Sequence, residues 1–191
     1  MNESALRRMG LAGVAAGALL FLGQGGELVF GDDSRPLFAL LVIFMALAVV
    51  AFGIAFLAMR QVLDASRAGR VGATIGVVGD AFLIAFAVQL AVAAVRTGEV
   101  PQNFALFAAG FLMFLVAHLV VARPLRVVLG TGWWLSPTAA VALLVALVTN
   151  EIYIWHDLGL FVFEGCWAAM GLLELRRVGD SAARTPEPVE G

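Results

Sequence analysis

Two carboxylic acids, Asp80 and Glu164, stand inside apolar runs of a kind that normally carries no charge, and a histidine, His118, interrupts a third such run. A carboxylate at the centre of a bilayer costs about 2.5–3.5 kcal/mol on insertion scales. Such a group must be neutral, paired or in contact with water, and by default it marks a proton, ion or substrate path. For Asp80 the plainer reading is a hydrogen bond to a neighbouring helix. His118 is its nearest candidate partner on an antiparallel neighbour, but helical rise separates the two by about 7 Å in depth, which calls for a bridging water.

A second set of polar groups gathers near the ends of the runs. Glu27 closes the first run, with Gln24 just before it; Asn150 and Glu151 close the fifth; His156 and Asp157 open the sixth. Glu164 lies two turns below Asp157 on the same helical face. If the first, fifth and sixth helices adjoin, these residues form an acidic pocket open to the outside and narrowing toward Glu164. Crowded carboxylates of this kind suit proton uptake or cation attraction. The plainer alternative makes Glu27, Glu151 and Asp157 ordinary headgroup-level residues and leaves only Glu164 to explain.

Other chemistry finds little support. Glu151, His156 and Asp157 match no metal-binding motif, HExxH is absent, and the two histidines fall at opposite ends of the bundle, so neither a metal nor a haem is expected. Ser136 is the one serine inside a membrane run; it lacks a GxSxG setting and has no histidine placed to activate it, so nucleophilic catalysis is not expected. All twelve basic residues are arginine, which excludes a retinal or pyridoxal Schiff base, and no cofactor is expected. The lone cysteine, Cys166, allows no internal disulfide and reads as a packing thiol. A net charge of −2 without a basic run gives no footprint for nucleic acid.

The elements that position these residues follow from composition. Hydrophobic residues make up 62% and charged residues 14%, with a mean hydropathy of +0.97, so lipid is the solvent. A hydrocarbon core of about 30 Å needs roughly 20 apolar residues in a helix. Runs of that length lie near 9–30, 37–59, 71–95, 103–122, 133–154 and 157–175. None alternates like a barrel strand, so the expected fold is all-α: a polytopic bundle of six transmembrane helices, with 178–191 as a disordered cytoplasmic tail. Ten arginines fall on one side of this arrangement and only Arg35 and Arg96 on the other, which predicts both termini in the cytoplasm and a multi-pass protein of the cell membrane. Trp133 and Trp134 at one end of the fifth run, and Tyr153 and Trp155 at the other, fit interfacial anchors. Arg7 and Arg8 before the first run also fit a cleavable signal, but the run stays apolar through Leu28, Val29 and Phe30, which suits a retained helix better.

Small residues mark where helices approach in lipid. Gly10, Gly13 and Gly17 share a face with Gln24 on the first helix; Gly72, Gly76 and Asp80 share one on the third; Asp157, Glu164, Ala168 and Gly171 share one on the sixth. The second helix, apolar from Leu37 to Met59, is expected to face lipid. The sequence leaves three functions in competition: a small proton- or cation-linked transporter or channel-like protein; a membrane enzyme acting on a lipid or isoprenoid through a carboxylic general acid; and a non-catalytic assembly subunit. Intramembrane ionisable residues favour the first.

Overall fold

The structure, a computed structural model, describes residues 2–30, 35–96, 104–149 and 153–183. Among them the chain forms helices α1 (Glu3–Phe30), α2 (Arg35–Val62), α3 (Arg67–Arg96), α4 (Ala105–Leu129), a 3-10 turn (Gly130–Trp134), α5 (Leu135–Val148) and α6 (Tyr153–Ala183). Among the described residues, five stretches are by length and composition long and apolar enough to cross a membrane, and one of them runs unbroken from Ala105 to Val148.

That stretch folds back on itself. In a straight helix His118 and Ser136 would lie about 27 Å apart, yet their side chains are 3.1 Å from each other. The reversal happens at Gly130, whose φ of 58° is open to glycine and strained for other residues. Its N–H donates to the Arg126 carbonyl, closing α4. The sequence suggested that α4 ends at 122, before Arg123 and Pro124. Instead it continues through Pro124 to Leu129, because Leu125, Val128 and Leu129 are buried and their packing offsets the hydrogen bond that the proline cannot donate.

Each helix packs on its neighbours in chain order, and α6 returns to pack on α1. Close approaches give the directions. Gly10 meets Gly171 and Gly17 meets Glu164 across α1 and α6; Gly53 meets Asp80 across α2 and α3; Gly79 meets Gly110 across α3 and α4; Gly159 meets Ala142 and Ala146 across α5 and α6. Arg8 reaches Gln61 between the start of α1 and the end of α2. All these pairs are antiparallel, so the helices form a closed ring running alternately up and down. Its centre is filled by large side chains from α2, α4 and α6, among them Phe56, Phe114, Phe163 and Trp167.

Three sequence expectations are corrected. α2 is not merely a lipid-facing helix: Leu40, Ile43, Leu47, Val50, Ile54 and Leu57 form an exposed stripe, while Ala48, Phe52, Ala55, Phe56 and Met59 enter the core. Both stripes are apolar, so no polarity contrast distinguishes them in the sequence. α3 is the most exposed of the five membrane-length stretches, with 22% of its most apolar part buried. Tyr153 and Trp155 belong to the first turn of α6 rather than to the end of the fifth helix, and α6 runs to Ala183, so residues 178–183 are helical. The rest of the expected tail lies outside the described residues.

Candidate functional site

At the heart of the ring, α4 presents His118 to an aromatic box. Its ring centroid lies 5.1 Å from that of Trp167 and 5.8 Å from those of Phe56 and Phe163. The His118 side chain also meets Ser136 at the start of α5, a pairing the sequence reading did not anticipate. The Ser136 hydroxyl donates to the His118 carbonyl at 2.9 Å, so its oxygen accepts from His118 Nδ1–H at 3.1 Å. The proton therefore points the wrong way for general-base activation of the serine; the pair latches α5 to α4. It also fixes the tautomer, leaving His118 Nε2 with its lone pair buried and without a hydrogen-bond partner among the described residues.

No direct hydrogen bond joins His118 to Asp80 among the described residues. That acid, near the middle of α3, turns toward α2, where it fills the space that a side chain on Gly53 would occupy. It is buried, and its Oδ1 has no partner among the described residues. The absence of a Cβ on Gly53 admits the carboxyl group into the α2–α3 interface.

Glu164 is 1% exposed, and neither of its carboxyl oxygens has a partner among the described residues. The same holds for Trp167 Nε1 and for one oxygen of Glu174, a buried acid that sequence reasoning missed. Glu174 lies in a crevice beside Met9 and Met59, toward the arginine-rich end of the ring. Its signal was available: 164, 167, 171 and 174 follow the 3-4-3 spacing of one helical stripe. Along α6, Glu164 and Glu174 are about 15 Å apart by helical rise, with Trp167 between them and His118 against Trp167. Orphaned buried polar atoms of this kind are uncommon in folded proteins, and bound water is the usual way in which they are satisfied.

At the opposite end, α1 and α5 flank α6 without packing on each other. Asn150 and Glu151 lie outside the described residues, as does the side chain of Glu27. Asp157 is partly exposed. Gln24 and His156 both line a cavity of about 180 Å³ bounded by α1, α2, α3, α4 and α6. The rest of its lining is apolar, and neither Asp157, Glu164 nor Asp80 reaches it. This cavity is apolar; the expected acidic pocket draws on Asn150, Glu151 and the Glu27 side chain, which lie outside the described residues. No family model, no curated protein and no solved structure matches the chain.

Proposed function

We propose that this protein crosses the membrane six times, with both termini in the cytoplasm, and carries protons through the centre of its helical ring as a small proton-linked transporter or channel-like protein. The observation that carries this reading is the line of buried, unpartnered polar atoms on and beside α6, formed by Glu164, Trp167, His118 and Glu174. Carboxyl oxygens and an imidazole nitrogen that lack partners among the described residues are available to water and to exchangeable protons. Asp80 contributes a further site on α3. Six crossings are supported by the reversal at Gly130 and by the clustering of arginine contacts at one end of the ring, where Arg8 meets Gln61, Arg70 meets Asp64, and Arg177 meets the Val127 carbonyl. In the positive-inside rule that end is cytoplasmic.

Reconstitution into liposomes loaded with a pH-sensitive dye tests the reading. A potassium diffusion potential is expected to drive acidification faster than in protein-free liposomes. Equal rates would reject the proposal.

A further inference from the structure

At the arginine-rich end of the ring, away from the line of acids, Gly72 of α3 packs against Val120 and Val121 of α4. One turn further toward that end, a crevice of about 760 Å³ opens between the start of α3 and the end of α4, with Val62 and Leu63 of α2 as its third wall. Its α4 wall is Val120, Arg123, Pro124, Val127 and Val128, a stripe at the three- and four-residue steps of one helical face. Val116 and Leu119 continue exposed apolar surface from this stripe toward the middle of α4, and Val127 is itself 78% exposed. The crevice therefore opens onto the apolar flank of the ring rather than into its centre.

Its charge is of one sign. Arg123 is the only charged residue in the lining among the described residues, and its guanidinium has no ion-pair partner among them. The sequence neighbours of the lining add Arg67, Arg126 and one acid, Asp64, which Arg70 already engages at 3.5 Å. A guanidinium fork matches the oxygens of a phosphate diester, and the valine stripe matches an acyl chain. An ammonium headgroup would face arginines and no unpaired acid, so a zwitterionic lipid is disfavoured against an anionic one.

We infer that this crevice binds one anionic phospholipid of the adjacent leaflet, its phosphate held by Arg123 and an acyl chain laid along Val120 and Val116. The site rests on the six-crossing arrangement proposed above but not on proton carriage, so binding and flux can fail separately.

Native mass spectrometry of the purified chain released from detergent, with dioleoylphosphatidylglycerol and dioleoylphosphatidylcholine supplied at equal concentration, tests the assignment. One phosphatidylglycerol is expected to stay bound, preferred about fivefold over phosphatidylcholine, the factor that one arginine supplies toward an anionic lipid. Arg123→Gln should remove the preference, whereas Arg7→Gln, on α1 across the ring from α4, should keep it. Ala68→Phe, which fills the crevice and leaves the arginine in place, should release the lipid. Equal retention of the two lipids by the wild type, a preference that survives Arg123→Gln, an equal loss in Arg7→Gln, or retention at the wild-type level in Ala68→Phe would overturn the assignment. So would displacement of the lipid by millimolar inorganic phosphate, which would make the ligand a free anion.

Discussion

Asp80 and Gly53 illustrate how a single missing methyl group determines where a buried acid can sit. Gly53→Ala drives a Cβ into the Asp80 carboxyl group and is expected to destabilise the protein by about 1–3 kcal/mol, the usual cost of overpacking. Asp80→Ala in the same chain should restore most of that loss in thermal unfolding, whereas additive losses would show that the two residues do not meet. The acid was legible in the sequence because a charge stands out in an apolar run. Its partner was not, because one glycine among many gives no sign of what it faces. His118 and Ser136 pose the same difficulty, since their contact depends on a turn whose geometry is set at Gly130. Ser136→Ala removes the acceptor of His118 Nδ1–H and is expected to cost about 0.5–2 kcal/mol, the span from folded membrane proteins to model peptides for hydrogen bonds between membrane helices. An unchanged unfolding midpoint would contradict the latch.

Between elements, small residues govern which helices touch. A Cβ on Gly17 would lie 2.6 Å from the Glu164 carbonyl oxygen, and one on Gly171 would lie 2.5 Å from that of Gly10. Nothing lies within 4 Å of a Cβ on Gly165, one position from Glu164. Gly17→Ala is therefore expected to separate α1 from α6 and lower the unfolding temperature, while Gly165→Ala should be neutral or raise stability by up to about 1 kcal/mol, as expected for glycine to alanine in a helix interior. Equal effects at the two positions would argue against the close α1–α6 contact. The sequence disclosed these glycine faces through their spacing, and α1 and α6 do meet along them. It did not disclose the core-facing stripe of α2, because lipid and protein interior select the same apolar side chains.

At the scale of the molecule, six helices alternate in direction around a ring and bring the first and last described residues to the same end. Run lengths and arginine positions made most of this legible. The order of the helices around the ring and the filling of its centre were not, since both depend on side chains distant in sequence. In a Cys166→Ala background, a cysteine at Thr97 is expected to react with membrane-impermeant maleimide in intact cells, and cysteines at Ser66 and Arg123 only after permeabilisation; the reverse pattern would invert the proposed orientation. The central claim is that the unpartnered acids of the interior carry protons. Proton flux through Glu164→Gln in liposomes, compared with wild type at equal protein incorporation, tests it most directly. A fall of about tenfold or more is predicted, the equivalent of losing roughly 1.4 kcal/mol at the rate-limiting site, and a wild-type rate would contradict the account.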